Sequence, residues 1–157
     1  MSIKISRILF PTDYSELALA ALPHAVGLSQ AFSAELHCLH VVDDAYQYWS
    51  ALGPESIPFG PPPEELLKLS QKRMADFVVS HLSGLGSIPV TSVSVGRPFS
   101  EIIAYAREHD IDIIVIGTHG RGAIAHMLLG STTEKVVRKA PCPVLTVRAE
   151  GQEFEMP

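Results

Sequence analysis

The chain has 157 residues, 46% of them hydrophobic and 18% charged, with a formal net charge of −5. That length holds one domain with a full core and is too short for two ordinary ones, and no apolar run approaches the ~20 residues that span a bilayer. The acidic balance argues against general affinity for nucleic acid, whose phosphates demand a basic face, so a soluble protein is expected in which any phosphate site is local.

Met1 to Arg7 runs directly into the first strand, with neither an apolar signal core nor an Arg-rich transit segment, which makes the cytoplasm the expected location. Arg7-Ile8-Leu9-Phe10 reads as strand one, ended by Pro11 because proline lacks a ladder donor. Asp13 follows at its carboxyl end. A helix begins at Ser15-Glu16, with Ala18, Ala21, Leu22, Ala25, Leu28 and Phe32 at the three-and-four spacing of a buried face. Pro23 lies inside that helix and predicts a bend rather than a break, since the apolar stripe resumes beyond it. Glu35 to Val42 is strand two. His37 and His40, three apart on a strand, project to opposite faces, cannot share a metal, and read as core or rim packing. Cys38 and Cys142 show no metal-knuckle or redox spacing and read as buried thiols.

Asp43 to Pro62 is the least regular segment, with Gly53-Pro54, Gly60 and prolines at 61, 62 and 63, yet it carries Tyr46, Tyr48, Trp49 and Phe59. Connections in compact domains have a median of about 4–6 residues, so a loop this long is expected to be mobile, a cover over something, or both. Pro63 suits the first turn of the next helix, which turns Leu67, Met74, Phe77, Val78 and His81 inward and leaves Glu64 and Lys68 as an outward i,i+4 pair. Val90 to Val95 alternates as a strand with one polar face near a sheet edge. Gly96-Arg97-Pro98 turns the chain into a helix with an inner stripe of Phe99, Ile102, Ile103 and Ala106, ended by His109 and Asp110.

Ile113-Ile114-Val115-Ile116 is a β-branched run suited to a strand buried on both faces of a parallel sheet. It ends in Gly117, and Gly117 and Gly120 would let the backbone turn sharply and approach a ligand with no Cβ in the way. Gly130-Ser131-Thr132-Thr133-Glu134, ahead of the amphipathic Lys135 to Arg138, reads as a helix N-terminus. Its free amides and positive dipole make it an anion site, and two glycine turns converging there would enclose a phosphate chain. Ser131 with Glu134 also fits a capping box, which would account for the serine but not for the spaced glycines. Val144 to Arg148 is the last strand, and Ala149 to Pro157 a tail expected to fray. Strands alternating with helices predict an α/β single domain: an open parallel sheet with helices on both faces, which binds ligands beyond the carboxyl ends of its strands.

The spacing Gly-x2-Gly-x9-Gly-Ser at Gly117, Gly120, Gly130 and Ser131 resembles the nucleotide-binding branch of the universal stress protein family. So do Pro11-Thr12-Asp13-Tyr14-Ser15, Leu39-His40-Val41-Val42-Asp43 and Pro143-Val144-Leu145-Thr146-Val147, so that the likeness spans nearly the whole chain, with residues 1–148 as the domain. It implies a Rossmann-like five-stranded sheet of the adenine nucleotide alpha hydrolase-like kind, in the order 3-2-1-4-5, with Asp13 and Gly117 meeting at the crevice between strands one and four. It also implies ATP, accompanied by Mg²⁺, as the ligand. In similar proteins the turn corresponding to Pro11-Thr12-Asp13 holds the nucleoside and the backbone at Val41 contacts adenine. The glycine loop, here Gly117-Thr118-His119-Gly120-Arg121, wraps the ribose and phosphates together with Gly130, Ser131, Thr132 and Thr133. Asp13 could accept from sugar hydroxyls or a base amine, or could cap helix one; Arg121 could neutralise a terminal phosphate or simply be solvated.

Rival nucleotide folds lack their signatures. Gly117 to Gly122 continues into Ala123 rather than a Walker lysine, Pro11-Thr12-Asp13 stands where a dinucleotide fingerprint needs glycines, and Val93 to Gly96 offers no receiver aspartate. Beyond Arg121 and an Mg²⁺ near Asp13 or Asp43 there is no designated base, which favours binding over turnover. The expected function is that of an ATP-binding stress-response regulator in which nucleotide orders the loops and alters which partner protein is recognised. The alternatives are a slow ATPase or phosphotransferase using the same pocket, and a dimeric interaction module that binds no nucleotide. The fifth strand leaves an unpaired sheet edge, and since related proteins pair it across a two-fold axis, a homodimer through Val144, Leu145, Thr146 and Val147 is expected.

Overall fold

Five short runs rich in β-branched and apolar residues form one parallel sheet in the computed structural model, which describes residues 3–43, 62–119 and 129–149. The strands are β1 (Arg7–Pro11), β2 (Glu35–Asp43), β3 (Val90–Gly96), β4 (Ile113–Gly117) and β5 (Val144–Val147), in the order β3-β2-β1-β4-β5. β1 pairs with β2 on one side, from Arg7 opposite Glu35 to Pro11 opposite Leu39, and with β4 on the other, where Ile8 and Leu9 face Ile113 and Ile114. The strand order therefore reverses between β1 and β4, as expected, and the two connections that leave there diverge to opposite faces. The helices are α1 (Glu16–Leu19), α2 (Leu22–Phe32), α3 (Pro63–Leu82), α4 (Pro98–Glu108) and α5 (Ser131–Lys139).

Alternate residues of the central strands feed two separate cores, because successive side chains of a strand point to opposite faces. Ile8 and Phe10 of β1 pack with Leu36, Cys38 and Val115 against Ala25 of α2 and Met74 and Phe77 of α3. Leu9 points the other way, with Leu39, Ile114 and Ile116, against Ile102 and Ala106 of α4 and Val136 of α5. Ile8, Leu9 and Phe10 are all fully buried. Three consecutive apolar residues are needed there because β1 has a helical layer on each side, and each such side chain contributes roughly 1.5–3 kcal/mol.

The first helix departs from the sequence expectation. Pro23 breaks it instead of bending it, giving α1 and α2 with Ala20 and Ala21 between them. Proline has no N–H for the Leu19 carbonyl and its ring crowds that carbonyl, so α1 stops at Leu19, closed by a bond from the Ala21 amide to the Ala18 carbonyl. Pro23 then sits in the first turn of α2, where no donor is required. Pro11 is the last residue of β1, one further than expected, and the Thr12 amide supplies the next bond, to the Leu39 carbonyl.

In α3, Met74 and Phe77 are buried and Leu67 and Val78 half-buried, with Ser70 and Leu82 added to the inner face; His81 is exposed and stacks on Phe77 rather than facing in. Glu64 and Lys68 both face outward. In α4 the stripe of Ile102, Ile103 and Ala106 is buried, joined by Tyr105. His37 and His40 do lie on opposite faces. His37 Nδ1 meets the Tyr105 hydroxyl at 2.9 Å, and its Nε2 lies 2.9 Å from Glu35 Oε1 without the alignment of a hydrogen bond. Burial of Cys38 pushes its thiol up to about 12. The loop aromatics Tyr46, Tyr48, Trp49 and Phe59 and the tail from residue 150 lie outside the described residues. Among the described residues no helix is long and apolar enough to cross a membrane.

Candidate functional site

Beyond the carboxyl ends of β1, β2 and β4, where the strand order reverses, lies a cleft of about 720 Å³. That is within the ~300–1,000 Å³ of small-molecule sites. It brings together Pro11, Thr12 and Asp13 after β1, Val41 on β2, Gly117 and His119 after β4, and Gly130, Ser131, Thr132 and Thr133 at the start of α5. Thr118 is buried behind this wall, and Gly120, Arg121 and His126 lie outside the described residues.

The turn after β1 is held by its own side chains. Thr12 Oγ1 accepts from the Tyr14 amide at 3.0 Å. Asp13 Oδ1 accepts from the Ser15 amide at 3.0 Å and from Ser15 Oγ at 2.6 Å, and Ser15 Oγ in turn accepts from the Ala18 amide at 3.2 Å. Ser15, not Asp13, is therefore the cap of α1. Asp13 orients that cap and is oriented by it, which fixes one carboxylate oxygen at the cleft wall. His40 Nδ1 donates to the Thr12 carbonyl at 2.8 Å, so β2 braces the same turn from below.

The start of α5 carries the opposite polarity. Gly130 is the N-cap residue, its amide donating to the Thr118 carbonyl at 2.7 Å, and the first intrahelical bond runs from the Glu134 amide to the Gly130 carbonyl. The amides of Ser131, Thr132 and Thr133 consequently have no acceptor within the helix, and all three residues line the cleft. The capping box does not form: no side chain caps α5, and Glu134 pairs with Arg138 at 3.0 Å. The Thr133 hydroxyl turns inward instead, donating to the Gly117 carbonyl at 2.8 Å and tying the helix to the end of β4. Free amides plus the helix dipole give a cradle for an anion at this end of the cleft.

The two glycines are needed for reasons the spacing did not disclose. A Cβ on Gly117 would lie 2.6 Å from the Leu17 carbonyl oxygen and 3.0 Å from Ala18 Cα, so this glycine makes room for α1 rather than for a ligand. A Cβ on Gly130 would meet the Thr118 carbonyl oxygen at 3.3 Å and His119 Cα at 3.4 Å.

Sequence reasoning missed the α3 wall of the cleft, formed by Leu66, Leu69, Ser70 and Arg73, and the α4 wall, formed by Pro98 and Ile102. The available signal was length. Twenty residues of helix extend about 30 Å against about 17 Å for the five residues of β1, and the chain enters α3 from the carboxyl end of β2, so the first turns of α3 can reach past the carboxyl end of β1. The result is an apolar-walled cleft with an anion cradle at one end, a carboxylate turn in the middle and a cation, Arg73, on the α3 side. No group of three or more His, Cys, Asp or Glu among the described residues is arranged to hold a metal.

A model of the universal stress protein family matches residues 4–148 of this chain. The universal stress protein MJ0531 of Methanocaldococcus jannaschii is 33% identical over 154 residues, covering 94% of this chain and 84% of its own. Universal stress protein MJ0577 of the same organism is 31% identical over 161 residues, covering 96% and 99%. The solved structure of MJ0577 superposes with a TM-score of 0.78 at 30% identity, covering 95% of this chain and 99% of that one. The universal stress protein from Archaeoglobus fulgidus solved in complex with dAMP shares the fold, with a TM-score of 0.62 at 20% identity and coverage of 94% and 100%.

Proposed function

The chain belongs to the universal stress protein family, and from that premise we propose that its cleft binds an adenine nucleotide, ATP with Mg²⁺, and that the protein is a nucleotide-dependent regulator of a stress response. The observation that carries the reading is the trio of helix-start amides at residues 131–133 that have no acceptor within α5, set in one cleft with the Asp13 turn. The amides suit phosphate oxygens, while the Asp13 carboxylate suits hydroxyl or amine donors of a nucleoside. The apolar wall of Val41, Pro98 and Ile102 offers a dry surface for a purine ring. The dAMP complex of the Archaeoglobus fulgidus protein supports the ligand class, being an adenine nucleotide held by the same fold. Mg²⁺ would arrive with the phosphates, with Asp13 and Asp43 the carboxylates that line the cleft.

We favour binding over turnover because, among the described residues of the cleft, Asp13 Oδ1 is engaged by Ser15 and His40 Nδ1 by the Thr12 carbonyl. Regulation then follows from differential stability: nucleotide that binds one arrangement of the cleft loops shifts the population toward it and changes the surface a partner meets. We place the protein in the cytoplasm and pair it with a second copy along β5. Mass spectrometry of ligand carried through purification, followed by isothermal titration of stripped protein with ATP and Mg²⁺, tests the reading. An adenine nucleotide should be recovered and ATP should bind with one site per chain; stripped, folded protein that takes up no ATP would refute it. Single-turnover phosphate release from labelled ATP tests the ATPase alternative, and protein-dependent release would move the assignment to an enzyme.

A further inference from the structure

We propose that Tyr14 is a positioning residue of this cleft, setting the direction of the Asp13 carboxylate while α3 holds it in place. The inference rests on the nucleotide reading and adds to it the element that controls affinity. Tyr14 has φ of +63°, in the left-handed region that bulky side chains avoid. Such a conformation persists only where the surroundings over-determine it. Here they do so through the ring, which is not part of the cleft lining. Its centroid lies 4.5 Å from that of His40 and 5.6 Å from that of Phe77, and the Arg73 guanidinium carbon sits 4.6 Å over it. Arg73 and Phe77 are four residues apart on α3, hence on one side of that helix, and together they grip the ring from above.

The backbone consequences are local. The left-handed residue reverses the chain between β1 and α1, which lets Thr12 Oγ1 reach the Tyr14 amide and Asp13 Oδ1 reach Ser15. With the ring gone, the contacts to His40, Phe77 and Arg73 that offset the cost of the left-handed conformation are lost, and residue 14 would relax toward an extended one. The carboxylate would then swing away from the direction Ser15 now fixes. Tyr14 thus acts through Asp13, and through it α3 is coupled to the ligand.

The experiment compares ATP affinity by titration calorimetry with thermal melting for Tyr14→Phe, Tyr14→Ala, Tyr14→Gly and Phe77→Leu. Tyr14→Phe should match the wild type, because the ring is what is held. Tyr14→Gly should melt about 3 °C above Tyr14→Ala, since glycine takes a positive φ without strain. Tyr14→Ala should bind ATP about ten-fold more weakly than the wild type, and Tyr14→Gly, whose turn can adopt the left-handed conformation but is not held in it, about three-fold more weakly. Phe77→Leu, which loosens the grip from outside the cleft, should weaken ATP about three-fold by the same route. A purely structural role makes a different forecast, affinity unchanged in every variant at a temperature well below its melting point, where each is folded; unchanged affinity there in Tyr14→Ala or Phe77→Leu, or Tyr14→Gly binding more weakly than Tyr14→Ala, overturns the proposal. Wild-type protein that takes no ATP overturns the nucleotide reading and this one with it.

Discussion

At Gly117 any larger residue would drive its Cβ into main-chain atoms of α1, which cannot rotate away as a side chain can. Gly117→Ala should therefore cost about 1–3 kcal/mol, the usual range for overpacking, read as a lower urea midpoint at unchanged slope. Gly130 is less confined, with contacts at 3.3 and 3.4 Å that a shift of a few tenths of an ångström would relieve. Gly130→Val is expected to cost about 1 kcal/mol and to weaken ATP several-fold, because the shift displaces the amides of the next three residues. Calorimetry on the same samples used for melting separates the two effects. The spacing of these glycines was legible in the sequence, but its causes were not. Both neighbours, Leu17 beside Gly117 and Thr118 beside Gly130, come from packing and turn geometry that no spacing records.

Among elements, α4 docks on β2 through an ionisable contact. His37 is buried, and desolvation lowers its pKa from the usual 6.5; Glu35 opposes that shift, while His109 and Arg7 reinforce it. Tyr105 stacks on His109 with centroids 3.9 Å apart, and Arg7 Nη1 donates to the His109 carbonyl and pairs with Asp110, so the groups facing His37 come from β1, β2 and α4. The sign follows directly. Below pH ~6.5 the unfolded chain protonates this imidazole while the folded one resists, so the unfolded state binds more protons and stability falls with pH until the lowered folded pKa is passed. Urea midpoints measured from pH 8 to pH 5.5 should decline in the wild type, and His37→Gln should decline less. At this scale the sequence was legible wherever periodicity was long, as in α3 and α4, and misleading at Pro23. There the apolar stripe runs on across a proline, and periodicity reports which face is buried without reporting whether the helix is continuous.

For the molecule as a whole, the alternation of strands and helices was enough to predict the parallel sheet and its two cores, and the family likeness supplied the strand order. The position of the cleft followed from that order. Its α3 wall did not, because it depends on how far a helix overshoots the sheet. β5 is a sheet edge, and its orientation sets up the dimer test. The carbonyls of Pro143 and Val147 accept from the amides of Ile114 and Thr118, so odd-numbered residues of this strand face β4 and the amide of Thr146 points outward. We expect light scattering at micromolar concentration to give twice the 17.0 kDa chain mass. Thr146→Pro, which removes an outward donor and leaves the β4 ladder intact, should return it to a monomer with its fold retained. A monomeric wild type would show that β5 does not pair with a second copy.

The peptide units around Thr118 join the sheet's outer margin to the anion cradle. The Thr118 amide is held by the Val147 carbonyl, and its own carbonyl holds the Gly130 amide. The outermost strand and the cradle are thus joined through one residue and two hydrogen bonds, with no side chain in the link. Substitutions along that route can leave it standing, and it would be severed by a change that removes an amide proton, such as proline at 118 or 130.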